Sequence, residues 1–137
     1  MVNVILMLCT GGLSSQMFLK SVLIAAQEQG FRAKIDYASV LYDPEAVQKY
    51  SDFDYLFLFA PATEITKDAI DTTFLKINTI MISPQVRYMS ASIKQISIDA
   101  HINCLVLEPE TFAELAGKEC FQIIKWKDCM KKIQILV

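Results

Sequence analysis

Short strand-like runs alternate with helical stretches along the whole chain, and this alternation restricts the fold more than any other feature. Residues 2–8 form a largely apolar run, broken only by Asn3, with glycines beyond it, which suits a strand buried on both faces. From Gln16 to Gln29 the apolar positions Met17, Leu19, Val22, Leu23 and Ala26 return roughly every turn, and Gly30 can close that helix in a left-handed cap. "FRAKIDYASV" alternates as a second strand, and a short helix follows between Asp43 and Tyr50, with Asp43 as its cap and Pro44 at its first position. "DYLFLFAP" is another buried-strand pattern, ended by Pro61. Thr63 is placed to cap a helix through Leu75 whose inner stripe is Ile65, Ala69, Ile70 and Phe74. "NTIMIS" then reads as a strand, Pro84 starts a helix running to about Ile96, "NCLVLE" is a further strand, and a helix runs from Pro109 to about Gly117. Parallel neighbours need crossovers, and the crossovers cover both faces of the sheet. The expectation is therefore an α/β protein, a three-layer α/β/α sandwich on an open parallel sheet of four or five strands.

The tail from Cys120 to Val137 places Trp126, Met130 and Ile133 on one helical face and Lys125, Lys127, Lys131 and Lys132 on the other. A C-terminal helix with the aromatic face inward is expected; "IQILV" as an edge strand or dimer contact is the alternative. With 137 residues and 53% hydrophobic composition, the chain can build one core but not two, so residues 1–137 are expected to form a single domain. Thirteen basic against 15 acidic side chains leave a net charge of −2, so nothing draws in a polyanion and no nucleic-acid partner is expected. The longest apolar runs, Val4 to Cys9 and Tyr55 to Pro61, fall far short of the roughly 20 residues of a membrane span. No basic segment precedes an apolar one at the N-terminus, and a cytoplasmic protein is expected. The four cysteines, Cys9, Cys104, Cys120 and Cys129, are irregularly spaced, form no CxxC pair and share the chain with a single histidine. Free thiols, no metal and no cofactor are the expectation.

The first loop carries the chemistry. In an open parallel sheet, ligands bind at the carboxyl ends of the strands, where helix N-termini open. Cys9 lies at such an end, in "LCTGGLSSQ". Gly11 and Gly12 allow successive amide hydrogens to turn inward as an anion nest, and Ser14 or Ser15 begins the next helix. Amides, hydroxyls and the positive helix end favour a thiolate or a phosphate, so nucleophilic chemistry on phosphorus is the direct reading, with Thr10, Gly11, Gly12, Leu13, Ser14, Ser15 and Gln16 as phosphate-binding positions. The bland alternative is a cysteine that ends a buried strand before a plain glycine turn. Both the nucleotide-binding P-loop, with its lysine, and the dinucleotide fingerprint are absent. The loop is phosphatase-like in its cysteine, but no arginine closes it, since positions 14 to 17 read Ser-Ser-Gln-Met. Without a guanidinium on the transferring oxygens, the loop suits holding a phosphoryl group better than fast hydrolysis.

At this point the chain resembles a known family: the IIB subunit of the lactose/cellobiose (chitobiose) class of the bacterial phosphoenolpyruvate-dependent sugar phosphotransferase system. "VILMLCTGGLSSQM" matches its opening strand, cysteine and small-residue loop, and its second signature stands unaltered as Pro84, Gln85, Val86, Arg87, Tyr88 and Met89. "NCLVLE", Pro109, Phe112 and Gly117 echo the end of the family. The resemblance implies a flavodoxin-like strand order, 2-1-3-4 or, with a fifth strand, 2-1-3-4-5. It implies that Cys9 accepts a phosphoryl group from a phosphohistidine of a IIA partner and passes it to a sugar bound by a membrane-embedded IIC partner, so that the chain meets the membrane only through IIC. Leu13, Met17, Gln85, Arg87 and Tyr88 would then serve partner docking. The departure from the family is the unit at 54–77, "DYLFLFAPATEITKDAIDTTFLKI", which reads as an inserted strand and helix. If that strand lies beside the first in the order 2-1-3-4-5, Arg87 moves one strand away from Cys9, and Pro61, Ala62, Thr63 and Glu64 border the cradle instead. If it lies elsewhere, the second signature keeps its family position.

The remaining singled-out residues read as structural. His101 is expected in an exposed loop and Cys104 in the core, while Phe53, Tyr55, Phe57 and Phe59 alternate at strand spacing as core packing. Two other functional readings stay open beside the carrier: a non-catalytic regulatory or scaffold protein of the same fold, and a small cysteine-dependent phosphatase-like enzyme. Carrier chemistry asks for an accessible sulfur ringed by donors.

Overall fold

The computed structural model of the chain describes residues 1–10, 13–114 and 116–136, and the side chains of all of these but 13, 14 and 132–136. The strands are β1 (Asn3–Cys9), β2 (Ala33–Tyr37), β3 (Tyr55–Pro61), β4 (Ile77–Ile82) and β5 (Asn103–Val106). The helices are α1 (Leu13–Glu28), α2 (Ala46–Lys49), α3 (Lys67–Asp71), α4 (Ser90–Asp99), α5 (Pro109–Ala113) and α6 (Gly117–Leu136), with 3₁₀ turns at Ala38–Tyr42, Ala62–Glu64 and Pro84–Met89.

All strand pairs are parallel, in the order β2-β3-β1-β4-β5. The order 2-1-3-4-5 is thereby corrected: β3 lies between β2 and β1, and the connection to β4 crosses over β1. Without β3 the remaining order is the expected four-strand one. Two consequences that looked exclusive occur together. Pro61, at the end of β3, pairs with Cys9, and β4, which leads into the Pro-Gln-Val-Arg-Tyr-Met turn, flanks β1 on its other side.

Strand β1 is buried on both faces from Val4 to Cys9, as that unbroken apolar run requires. Ile5 and Met7 pack with Phe18, Leu19 and Val22 of α1 and with Phe112, Phe121 and Ile124 from α5 and α6. Val4, Leu6 and Leu8 pack on the opposite face with Leu41, Tyr50, Ile70 and Ile93. Each of these buried side chains contributes up to about 1.5–3 kcal/mol by leaving water, so the central strand anchors both layers. Gly30 closes α1 at φ +89°, as the sequence reading has it.

Four helices depart from expectation, the first being the one begun at Pro109, which ends at Ala113 while Gly117 opens α6. The helix after β3 is a 3₁₀ turn and then the short α3, capped by Thr66 instead of Thr63: the Ala69 N–H donates to Thr66 Oγ1 at 3.0 Å. Phe74, assigned to its inner stripe, is 55% exposed. Pro84 opens a 3₁₀ turn, and regular helix begins only at Ser90. The tail is helical, but its phase is rotated. Gly117, Cys120, Phe121 and Ile124 face inward, while Trp126 is 62% exposed and Met130 is also exposed; the side chain of Ile133 lies outside the described residues. The inward stripe continues at helical spacing through Asp128, whose carboxylate accepts from the amides of Asn3 and Asn103, and Lys131, which donates to the His101 carbonyl. A buried stripe that turns polar halfway along is what the hydrophobic pattern could not reveal.

Candidate functional site

Chain connections leave β1 toward one face and leave β4 toward the other, so the carboxyl ends of these neighbours border the crevice where such sheets bind ligands. Cys9 is the last residue of β1 and continues the alternation of Ile5 and Met7. Its side chain is 1% exposed, and its Sγ–H donates to the Ala60 carbonyl of β3 at 3.6 Å. The accessible sulfur that carrier chemistry asks for is not present in this conformation: the thiol is covered and spends its proton on a backbone oxygen.

Helix α1 begins at Leu13, so its positive end follows Cys9 closely. Thr10 and Gln16 are exposed, Ser15 is buried and Met17 is 51% exposed. Gly11 and Gly12, the heart of the expected nest, lie outside the described residues, as do the side chains of Leu13 and Ser14. On the β4 side, the Ser83 N–H donates to the Leu8 carbonyl at 3.0 Å and extends the ladder one step past the strand. Ser83 is fully buried, and its hydroxyl has no hydrogen-bond partner among the described residues. The turn beyond it buries Val86 and exposes Gln85, Arg87 and Tyr88, the last at 80%. Arg87 Nη1 lies 3.5 Å from Glu108 Oε2, just past the end of β5. Thus Cys9 and the second signature meet at one edge of the sheet, with exposed Met17 and Tyr88 on its rim. Sequence reasoning missed Ser83, whose only signal is a hydroxyl directly after an apolar strand, and it missed the Arg87 partner.

Of the other thiols, Cys129 is exposed on α6, and burial acts on the remaining two. Burial pushes the Cys120 thiol up to about 12. Burial also raises Cys104, against smaller lowering effects from Ser97, Lys94 and Lys127. Cys104 is only half-buried, a partial correction to its assignment to the core, and all four cysteines are free thiols. Among the described residues, no cluster of three or more His, Cys, Asp or Glu side chains could hold a metal ion, and no helix is long and apolar enough to cross a membrane. His101 is exposed in its loop, at φ 57°. Glu64 lies on the exposed turn after β3, at a largely apolar cavity of about 250 Å³ shared with Ser39, Tyr42 and Ile65.

The chain matches no protein-family model, and no curated protein matches it by sequence. Solved structures do. The lactose-specific IIB component domain of the phosphoenolpyruvate:carbohydrate phosphotransferase system from Streptococcus pneumoniae superposes with a TM-score of 0.60 at 13% identity, covering 90% of this chain and 95% of that one. A de novo designed protein with a P-loop NTPase fold superposes with a TM-score of 0.56 at 12% identity, covering 93% and 96%. At these identities the likeness is one of fold.

Proposed function

We propose that this protein is a phosphocarrier of the IIB type, with Cys9 as the residue that is phosphorylated. The observation that carries the reading is the meeting of Cys9 and the intact Pro84–Met89 signature on neighbouring strands at one edge of a fold like that of the lactose-specific IIB domain. In the first transfer the sulfur attacks phosphorus of a phosphohistidine on a IIA partner. The S–P bond forms as the P–N bond breaks, and the thiol proton is balanced by the imidazole that leaves. In the second, a sugar hydroxyl held by a membrane IIC partner attacks the same phosphorus, breaking S–P, forming O–P and returning a proton to sulfur or solvent. The chain's own part is position and charge: the proposed phosphoryl cradle is residues 10–16, the proposed docking positions are Leu13, Met17, Gln85, Arg87 and Tyr88, and the last four of these are exposed. Docking has to draw Sγ away from Ala60 and into reach.

The burial of Cys9 favours a second reading, a non-catalytic protein that keeps the fold and has lost the transfer. The two separate cleanly. The purified chain is incubated with phosphoenolpyruvate, the general phosphotransferase proteins and candidate IIA subunits of proven activity, and intact mass and peptide mapping follow. The carrier gains one phosphoryl group at residue 9, and Cys9→Ser gains no thiophosphate. Label on neither protein overturns the carrier and leaves the second reading.

A further inference from the structure

Buried polar side chains nearly always have a hydrogen-bond partner, and one without it marks a site completed by something else. Among the described residues the buried atoms left unpaired are Asn3 Oδ1, Thr79 Oγ1 and Ser83 Oγ. Asn3 opens β1 at the amino edge and Thr79 lies within β4. Ser83 stands apart because it lies at the carboxyl edge, beside Cys9. The register pairs Leu8 with Ile82, so the next step sets Ser83 against Cys9 on strands about 4.8 Å apart. Ser83 keeps extended backbone angles (φ −70°, ψ 155°), so alternation continues through it and brings its side chain out on the face of Met81. Cys9 follows Met7 onto that same face, where both methionines pack toward α1.

The sulfur therefore stands between two unlike groups. On the β3 side is the Ala60 carbonyl, an acceptor that suits a protonated thiol; on the β4 side is a hydroxyl with a donor to spare. A sulfur that takes up a phosphoryl group has no proton left for Ala60 and presents acceptor oxygens instead. Resting on the carrier reading, we infer that the Ser83 hydroxyl is a binding residue of the site, donating a hydrogen bond to the phosphoryl group when it is on or beside Cys9. The unpaired hydroxyl is kept in the free protein because the ligand supplies its partner.

Binding is then lost without a matching loss of stability, which a purely structural role does not produce. The full chain and its Ser83→Ala and Ser83→Gly variants are titrated with inorganic phosphate, followed by amide chemical shifts around residues 3–19 and 80–90, and their thermal unfolding is measured without phosphate. Expected is phosphate binding at this edge that weakens about tenfold in Ser83→Ala, the size of one hydrogen bond to a charged oxygen, with a Tm no lower than that of the parent. Ser83→Gly loses the same binding whatever backbone freedom does to its Tm. Equal affinity in parent and variants overturns the inference, and so does a loss of affinity that tracks a fall in Tm across the two. Absence of phosphate binding by the parent overturns it as well. The carrier reading is judged separately, by whether Cys9 takes label from a phosphohistidine.

Discussion

Tyr50 shows how much a single polar contact does in this core. Its ring is fully buried and its phenol donates to Asp36 Oδ2 at the β2 edge. Burial pushes the Asp36 carboxyl up, but the Tyr50 phenol, the Tyr37 N–H and the charges of Lys49 and Lys34 together outweigh it and hold the group below the usual carboxylate range. A carboxyl lowered in the folded state contributes stability that is complete above its unfolded value, about 3.9, and is lost as the pH falls through the lower folded value. Tyr50→Phe is therefore expected to cost about 1–2 kcal/mol at neutral pH, at the modest end for a bond to a charged acceptor because Asp36 is partly exposed. That cost shrinks in acid. Urea unfolding of both proteins across this acid range checks it, and a cost that stays constant there would mean that Tyr50 acts through its ring alone. Residue-level legibility was uneven for related reasons. Cys9 and the Pro84–Met89 signature stood out because their types and order are unusual. Thr66 was passed over for Thr63 because both are threonines before an apolar stripe, and only the chain path through the 3₁₀ turn decides which one reaches a helix amide.

At the scale of elements, the strands were the most legible because an apolar run buried on two sides needs no knowledge of its neighbours. The long helix α6 was the least. Its inward stripe begins with glycine and ends with Asp128 and Lys131, so hydrophobicity pointed to Trp126 and Met130, which face solvent. What fixes the phase is close approach. A Cβ on Gly117 would lie 2.3 Å from the carbonyl carbon of Ser21 and 2.4 Å from its oxygen, so the start of α6 rests directly on the backbone of α1. Backbone cannot swing aside as a flexible side chain can. Gly117→Ala is expected to lever the two helices apart and to cost about 1–3 kcal/mol, the usual range for overpacking, against the small gain alanine brings to an exposed helix. A denaturation midpoint unchanged within error would show that the helices separate freely there. Trp126→Ala, by contrast, removes an exposed ring and leaves the midpoint nearly where it was.

Across the whole molecule the two layers on the sheet are built unequally. One is closed by the long helices α1 and α6 over an aromatic cluster in which the Phe18 and Phe112 rings stack at 5.3 Å and Phe121 meets Tyr55 edge-on at 5.0 Å. The other is covered by α2 and α3, of four and five residues, together with 3₁₀ turns and the longer α4, and it leaves a partly open cavity of about 250 Å³ between the sheet and α3. The short connections on either side of β3 account for the difference. They supply only single turns of helix, α2 and α3, to cover this part of a five-stranded sheet. Short helices gain little from their own hydrogen bonds, and a void forfeits dispersion contacts along its walls. Opening should therefore begin in this layer, at α3 and the turn before it, while β1, β3 and β4 remain paired. Native-state hydrogen exchange with increasing denaturant is expected to show amides of residues 66–72 exchanging through local openings of low denaturant dependence. Amides of Ile5 to Leu8 in the central strand should exchange only with global unfolding. If α3 proves as protected as β1, the thin layer is stabilised by contacts that its short helices do not reveal. If α1 opens before α3, the stacked aromatic layer is the weaker of the two, and β3 is better covered than its brief helices suggest.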